Sequence, residues 1–415
     1  MNINHYVEEF TNLWNESENS FPSLGREIFS DEKMKREVEI EQYAKTARNE
    51  LNFKKPDETG KKRLMLMYKQ NLAAFFKNIF NFESDELSIL SGKGFTSATA
   101  DFMRMARRFD PGVKMEDVFQ AGRNLWIINT LQLLMNEPVR VTPSVFAYSM
   151  LYPYSDNYLD NPDVSWSEKL SFSARFGKRL KGEAVLAANE HERMIFELVS
   201  LIESDWDRVE YPLVYESLLA IHDAQTRSIS LVNKKENISE GELLSICIEK
   251  GGTSVLADGY LINGKLTAKQ EWFCFGFGTL LQFVDDIQDI KEDIDGQLVT
   301  MFTSASKTSR LEEFTNRSLS FTSAVLSDLT CFSSSEIPSI QRLMTKSVNI
   351  MVNEAVGLND SCFSPEYVLR FEKFSPFSYS FIKKRRSNID PNRISVMKKI
   401  ESYVFSNEEL AIEVS

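Results

Sequence analysis

A run of carboxylates follows directly on an apolar segment in residues 277–296. Asp285, Asp289 and Asp293 are spaced four apart, and side chains at that spacing lie on one face of an α-helix. Like charges so arranged destabilise a helix unless something neutralises them. A hard divalent cation would do so, because oxygen-only ligand sets suit Mg²⁺ better than Zn²⁺ or copper. The run therefore predicts a magnesium site, with Asp286 beside it.

A second pair of carboxylates ends another apolar segment. Thr142-Pro143 is a typical helix start, Pro153 predicts a kink on the way, and Asp156 and Asp160 stand four apart at the end. Two apolar helices that end in carboxylates predict an antiparallel arrangement around a cavity, with both acidic ends at one rim. Two or three Mg²⁺ held there could bind a diphosphate, and an apolar cavity below would suit a hydrocarbon tail.

Two simpler interpretations of the acidic run were weighed against this one. A solvated acidic helix end is disfavoured, because the apolar residues upstream indicate a helix that runs through a core, where carboxylates need partners. A calcium-binding EF-hand loop is suggested by residues 293–296. It fails because its first position would be Lys291 and its twelfth Phe302.

Helical periodicity organises the rest of the chain, and no strand alternation stands against it. We predict an all-α protein with an N-terminal helical extension at 1–60, a main domain at 61–387 and a tail at 388–415 whose last 15 residues form a helix. A single helix is expected over 269–296. The pair Gly251-Gly252 predicts either a break in a helix or a close backbone approach.

Composition bounds the function. The 415 residues include 42% apolar residues and 30 Phe, enough for a large core. A net charge of −12 argues against a nucleic-acid partner and against general attraction to anionic lipid. Four scattered Cys and 3 His exclude a disulfide framework and a histidine-rich metal site. With no signal-peptide pattern and no long apolar run, we expect a cytoplasmic protein without a membrane span.

Three pieces of the sequence together resemble the class I isoprenoid synthases, over roughly residues 95–300. Gly278-Thr-Leu-Leu-Gln-Phe-Val-Asp-Asp-Ile-Gln-Asp289 is similar to the second aspartate-rich motif of trans-prenyl diphosphate synthases. Lys250 stands where those enzymes carry a lysine that contacts diphosphate. Asp156-Asn-Tyr-Leu-Asp160 resembles the first motif in its D-x-x-x-D form, found in squalene and phytoene synthases and in bacterial large terpene synthases.

The resemblance implies a helical bundle around a central apolar cavity, two or three Mg²⁺ ions and a prenyl diphosphate substrate. It also allows a homodimer. The metal ligands that follow are Asp156, Asp160, Asp285, Asp286, Asp289 and Asp293, with Asp286 alternatively a substrate-side group. The residues predicted to contact diphosphate are Lys250, Arg227, Arg179 and Gln282. Gln282 has two alternatives, orienting a metal ligand or packing between helices, and any one arginine has an ordinary surface charge as its alternative. Arg175 and Lys178 are further candidates, His222 is expected to be a packed histidine, and the basic tail is expected to be solvated rather than a lid.

The departures from the family pattern bear on the reaction. Chain-elongating synthases carry adjacent aspartates in the first motif, whereas this chain has Asn157, which disfavours elongation. We expect ionisation and cyclisation of a linear allylic prenyl diphosphate of C15 to C25. Head-to-head condensation of two prenyl diphosphates is the alternative, and a catalytically silent bundle that binds prenyl lipid is a third possibility. No glycine-rich dinucleotide fingerprint occurs, so a reductive step is not expected.

Overall fold

The structure, a computed structural model, describes residues 1–52, 74–92, 94–161, 163–233 and 238–387. Every regular element in these residues is a helix and none is a strand, which confirms the predicted all-α class. The predicted tail at 388–415, its helix and the predicted boundary at 60–61 lie outside the described ranges. Within those ranges, no helix has both the length and the apolar character needed to cross a bilayer.

The helices follow one another through short connections. They are α1 (Ile3–Glu16), α2 (Ser30–Asn52), α3 (74–80), α4 (Ser84–Ser91), α5 (Phe95–Phe109), α6 (Met115–Leu134), α7 (Pro143–Leu151), a π-helical turn (Tyr152–Asp156), α8 (Asn157–Asp160), α9 (Trp166–Leu180), α10 (Glu190–Asp205), α11 (Pro212–Asn233), α12 (Glu240–Asn263), α13 (Ala268–Gln288), α14 (Ile290–Asp295), α15 (Met301–Lys307), α16 (Leu311–Ser327), α17 (Ile337–Leu358), a 3₁₀ turn (Asp360–Cys362), α18 (Pro365–Glu372) and α19 (Tyr379–Ser387).

Helices α12 and α13 lie side by side in the middle of the bundle. Helix α12 also packs on α1, α6 and α11, and α13 packs on α16 and α17. Both helices are apolar on nearly every side, as a helix surrounded by other helices must be. The largest fully buried side chains of α13 are Phe273, Phe275 and Phe283.

Gly251 on α12 and Gly278 on α13 let these two central helices approach each other closely. Helix α12 runs unbroken through Gly251 and Gly252, so the pair marks a close approach and not a break. A Cβ atom at Gly251 would lie 2.6 Å from the Gly278 carbonyl oxygen and 2.6 Å from Cβ of Gln282. A Cβ atom at Gly278 would overlap the Gly251 carbonyl oxygen. This contact sets the Lys250 turn of α12 beside the Gln282 turn of α13.

The N-terminal helix belongs to the same core. Tyr6, Phe10 and Trp14 are buried on one face of α1. The Trp14 ring centroid lies 4.6 Å from that of Phe283, and the Tyr6 centroid lies 5.3 Å from that of Phe275. Helix α1 therefore packs against both α12 and α13 and supports the central pair.

The prediction of a single helix over 269–296 is wrong at one residue, Asp289. Asp289 has φ −95° and ψ 4°, which ends α13 and starts α14. The bend is small, since Asp289 N still donates to Asp285 O at 2.9 Å and Asp293 N to Asp289 O at 2.8 Å. Repulsion among successive carboxylates weakens the helix here.

A side chain from α17 also accounts for the bend. Asn359, buried at the end of α17, donates its amide to the carbonyl oxygens of Ile287 at 3.2 Å and Gln288 at 3.1 Å. These are carbonyls of the last turn of α13, which lack regular partners where a helix ends. Asn359 thereby fixes the direction in which the chain leaves α13 toward the acidic run.

Candidate functional site

The first acidic segment begins with an irregular helical turn. Residues Tyr152–Asp156 form a π-helix between α7 and α8, and Pro153 at its start has no N–H to donate. This is the kink that Pro153 predicted. Single π-helical turns inside α-helices are uncommon and occur frequently at functional sites. The turn leaves Asp156 buried and directed at the neighbouring helix α11.

The Asp156 carboxylate is held by two donors. Gln225 on α11 donates Nε2 to Asp156 Oδ1 at 2.7 Å, and the Ser155 hydroxyl donates to the same oxygen at 3.2 Å. Hydrogen bonds to an ionised carboxylate are the stronger kind and fix its orientation. The remaining oxygen, Oδ2, receives neither of these two bonds.

The residue that follows Asp156 turns toward a different helix. Asn157 faces α6, where its amide pairs with the Gln120 amide at 3.2 and 3.3 Å and donates to Asp117 Oδ1 at 3.3 Å. The residue that replaces the second aspartate of the elongation motif thus ties the segment to α6. Asp160 ends α8, and its side chain lies outside the described part of the structure.

In the second acidic segment, Asp286 is turned toward α12. Gln282 donates Nε2 to Asp286 Oδ1 at 2.7 Å, and the Cys247 thiol on α12 donates to Asp286 Oδ2 at 3.3 Å. Burial raises the pKa of Asp286 to about 6, and the charge of Asp285 adds to this. Of the two roles predicted for Gln282, the structure shows it orienting a neighbouring carboxylate. Both oxygens of Asp286 already accept hydrogen bonds, unlike those of its neighbours.

Three carboxylates of the run are partly buried, and the negative charge of each acts on the others: Asp285, Asp289 and Asp293. Within the described residues, no hydrogen bond or ion pair reaches these three carboxylates. Burial raises the pKa of Asp289 to about 6, with Asp285 and Glu292 adding to the shift. Burial likewise raises the pKa of Asp293 to about 7, with Asp286, Asp289 and Asp285 adding to it. The group therefore carries the repulsion that the sequence predicted.

Tyr152 links the two acidic segments electrostatically. Burial raises the pKa of its phenol, and the Asp156 and Asp285 carboxylates raise it further, while Lys250 and Arg123 act in the opposite direction. Charges act on one phenol in this way only when they lie near it, because solvent screens distant ones. The convergence of both acidic helix ends on one region, with Lys250 beside them, stays a prediction.

Basic residues border the carboxylates from three helices. The positive charges of Arg123 on α6 and Arg386 on α19 both oppose the rise in the pKa of Asp289. Lys250 on α12 does the same to Asp286 and Asp293. Arg386 belongs to the basic segment that the sequence predicted to be a solvated end rather than a lid, and its positive charge acts on Asp289.

The other predicted arginines form ion pairs with glutamates. Arg179 pairs with Glu203 through both guanidinium arms and also donates to Ser200 at 2.9 Å, which ties α9 to α10. Arg227 on α11 forms an ion pair with Glu249 on α12. Arg175, a further candidate, pairs in the same way with Glu192, with its Nε 2.9 Å from Oε2.

A cavity opens beside Asp156. Its water-accessible volume is about 40 Å³, and the empty space counted out through its open mouth is about 470 Å³. Five helices and the π-helical turn surround it, and the lining residues are Asn124, Tyr148, Leu151, Tyr152, Ser155, Asp156, Phe176, Leu180, Leu218, Ile221, His222, Gln225 and Ser254. The wall is mainly apolar and aromatic, Asp156 contributes a carboxylate to it, and Tyr152 contributes a neutral phenol.

His222 forms part of the cavity wall, as well as being packed in the way the sequence predicted. Its Nε2 lies 3.5 Å from the Ser173 hydroxyl, and its ring sits edge-on to Phe176 with centroids 5.2 Å apart. A Cβ at Gly177 would come within 2.9 Å of Nε2, so only glycine leaves this space. Burial lowers the pKa of His222, which favours the neutral imidazole.

The donor chemistry of the acidic run suits Mg²⁺, because its oxygens repel one another and Asp285, Asp289 and Asp293 accept no hydrogen bond from the described residues. Among the described residues, however, no three His, Cys, Asp or Glu side chains stand together in a way that would hold a metal ion. Within the described residues, the carboxylates that the sequence predicted as ligands therefore do not form a preassembled metal site.

Three residues of this region were not predicted. Gln225 orients Asp156, Arg123 acts on Asp289, and Tyr152 lies between the acidic segments. Arg123 carried a usable signal, since it is a charge inside an otherwise apolar stretch of α6. Nothing in the spacing of Gln225 or Tyr152 distinguished them, because their roles depend on contacts between helices.

Comparison with protein-family models gives no match, and neither does comparison with curated protein sequences.

The raised carboxyl pKa values predict a pH-dependent stability in metal-free buffer. Asp286, Asp289 and Asp293 bind protons more tightly when folded than in an unfolded chain, where an aspartate titrates near 3.9. Folding therefore takes up protons between about pH 4 and 7, and stability falls as pH rises through that window. We expect the melting temperature in EDTA to be lower at pH 7.5 than at pH 5.5.

Magnesium provides the companion measurement. Because the cation competes with protons for the same oxygens, Mg²⁺ should raise the melting temperature more at pH 7.5 than at pH 5.5. The control is a variant with Asp285, Asp289 and Asp293 all changed to Asn, which should flatten the pH profile and abolish the Mg²⁺ effect. An Mg²⁺ effect of equal size in this variant would locate the cation elsewhere.

Proposed function

We propose that this chain is a Mg²⁺-dependent class I terpene synthase. It ionises a linear allylic prenyl diphosphate of C15 to C25, cyclises the carbocation and releases diphosphate. The observation that carries the proposal is Asp156 in the wall of a mainly apolar cavity, beside Tyr152, on whose phenol the carboxylates of Asp156 and Asp285 from separate helices both act. Lys250 and Arg123 act on the same phenol with the opposite sign, so charges of both signs lie near Tyr152.

The division of charge suits a diphosphate. Lys250, Arg123 and Arg386 supply positive charge around it, and Lys and Arg are the side chains that bind phosphate groups best. The carboxylates alone would repel the substrate. Bound Mg²⁺ would neutralise both partners and make diphosphate a better leaving group. The residues proposed to hold the ions are Asp156, Asp160, Asp285, Asp289 and Asp293.

Other residues hold this group in place. Gln225 fixes Asp156, and Gln282 with Asp286 fastens the start of the acidic run to α12 through Cys247. Partners that orient metal-binding carboxylates commonly matter almost as much as the ligands themselves. Asp286 is accordingly assigned a supporting role rather than that of a ligand.

The lining of the cavity is mainly apolar and aromatic, which suits the hydrocarbon part of the substrate. Leu180, Leu218 and Ile221 offer apolar contact, and the aromatic rings of Tyr148 and Phe176 can stabilise a carbocation through their faces. Water is largely excluded from such a wall, so the cation is protected until a proton is lost or a water is captured. His222 borders the same space in its neutral form and can accept a proton.

The arrangement of helices supports the corresponding fold. The cavity lies between α6, α7, α9, α11 and α12, with Asp156 of the first acidic segment in its wall. A helical bundle around an apolar cavity is what the class I isoprenoid synthase fold requires. We therefore extend the all-α assignment to that fold as part of the same proposal.

The test is diphosphate release from the purified chain with Mg²⁺ and each of the C10, C15, C20 and C25 diphosphates, followed by mass analysis of the extracted hydrocarbon. Asp289→Ala should lose release at least about a hundredfold. Asp295→Ala is the matched control, because Asp295 is an exposed carboxylate of the same run. A product mass derived from one substrate supports cyclisation, whereas a mass derived from two indicates head-to-head condensation.

Failure of release with every substrate, from protein shown to be folded by circular dichroism, would contradict the synthase proposal. Binding of a prenyl chain without turnover would then favour the silent lipid-binding bundle. Release that does not depend on Mg²⁺, or that survives in Asp289→Ala, would contradict the assigned site.

A further inference from the structure

His191 makes an unusual set of contacts with the first acidic segment. It is the second residue of α10, and its Nε2 lies 2.8 Å from the carbonyl oxygen of Tyr154 in the π-helical turn. Because the carbonyl accepts, Nε2 carries the proton and donates. The imidazole plane is also within 20° of the Tyr154 ring and 25° of the Tyr158 ring, with centroids 5.7 and 5.1 Å away.

The two tyrosines bracket the segment that carries the carboxylates. Tyr154 precedes Asp156 by two residues, and Tyr158 precedes Asp160 by two. Tyr154 is anchored further by its hydroxyl, which donates to Asp110 Oδ2 at 2.6 Å beyond the end of α5. One side chain on α10 therefore contacts the acidic segment at two points four residues apart.

The segment needs such support from outside. A π-helical turn is less stable than the α-helix that it interrupts, and Pro153 contributes no backbone donor to it. The α8 helix that follows has only 4 residues. Short helices are marginal on their own and depend on tertiary contacts.

We infer that His191 is a positioning residue that holds the first acidic segment in the geometry needed for Mg²⁺ binding. This inference rests on the proposed function. His191 acts through Tyr154 and Tyr158 and does not itself touch metal or substrate. Its donated hydrogen bond fixes the π-helical turn, and its stacking fixes the orientation of the turn and of α8.

Three variants separate the two kinds of contact. His191→Gln retains an amide donor near the position of Nε2, His191→Phe retains a stacking ring, and His191→Ala removes both. His5→Ala is the matched control, since His5 lies on α1 with its side chain 63% exposed. Each variant is assayed for hydrogen exchange of the amides in 152–160 and for the Mg²⁺ concentration that gives half-maximal diphosphate release.

His191→Ala should exchange the 152–160 amides at least about fivefold faster than wild type, while the buried amides of α12 and α13 stay protected. Its half-saturating Mg²⁺ concentration should rise roughly tenfold, with the rate at saturating Mg²⁺ within about threefold of wild type. His191→Gln and His191→Phe should each recover part of both effects, and His5→Ala should show neither.

The two readouts distinguish this inference from the proposed function. A wild type that releases no diphosphate removes the function, and the exchange rates then still decide whether His191 holds the segment. Unchanged exchange in His191→Ala would overturn the inference. So would a fall in the saturating rate without any change in the Mg²⁺ requirement.

Discussion

Asp156→Asn and Asp285→Asn are each expected to lower Mg²⁺-dependent diphosphate release at least about a hundredfold. The two residues belong to different helices, yet both carboxylates act on the Tyr152 phenol together with Lys250. Asparagine keeps the shape and removes the charge, so the fold should survive the change. In Asp156→Asn the replacement amide can still accept the hydrogen bond from Gln225.

The double variant tests whether the two acidic segments serve one site. Residues that act as a unit are strongly non-additive, so the double variant should be little slower than the slower single variant. Asp295→Asn, which removes an exposed carboxylate from the same run, should stay within about twofold of wild type. Losses that multiply in the double variant would indicate two independent sites and contradict the shared rim.

Gly278→Ala is expected to lower the free energy of unfolding by roughly 1–3 kcal/mol, as overpacking in a closed core does. The new Cβ would overlap the Gly251 carbonyl oxygen and lie 3.1 Å from Cβ of Val255. Both obstacles are rigid parts of α12, so the two helices must move apart. Urea unfolding monitored by circular dichroism measures the change.

A second glycine provides the matched control for this substitution. A Cβ at Gly122, inside α6, would have nothing within 4 Å beyond its own helix. Gly122→Ala should therefore be neutral or stabilise the protein by up to about 1 kcal/mol, through the better helix propensity of alanine. If both variants are equally destabilised, the close approach of α12 and α13 does not carry the effect.

The separation of α12 and α13 also bears on the site. Lys250 precedes Gly251 by one residue, and Gln282 and Asp285 follow Gly278 on the facing helix. A shift of the two helices moves all of these together. Gly278→Ala should therefore weaken diphosphate release even under conditions where the variant is fully folded.

The fold class was predictable because it depends on local pattern. Apolar residues recur with helical spacing in α5 and α10, and this periodicity needs no partner to be recognised. The bend at Asp289 was not predictable in the same way, because Asn359, which helps to fix it, comes from the distant helix α17. Gly251 and Gly278 could be recognised as unusual, but only the packing of the two helices showed which role they have.

The candidate site was predictable in the same partial way, in its carboxylates but not in the contacts of its basic side chains. The sequence located carboxylates such as Asp156 and Asp285, since charges at the end of an apolar helix stand out. It assigned Arg227 and Arg179 by residue type alone, and the structure pairs them with Glu249 and Glu203. Which basic side chain reaches which carboxylate depends on how helices pack, and spacing along one chain does not contain that information.

The π-helical turn at Tyr152–Asp156 has a consequence for how this chain aligns with others. A turn of this kind holds one residue more than the α-helical turn it replaces, and the helix on either side continues in a changed rotational phase. A relative with an uninterrupted helix here would need a one-residue gap to bring its acidic residues into the same orientation. Without that gap, residues counted as equivalent to Asp156 and to the start of α8 would point about a quarter of a turn away.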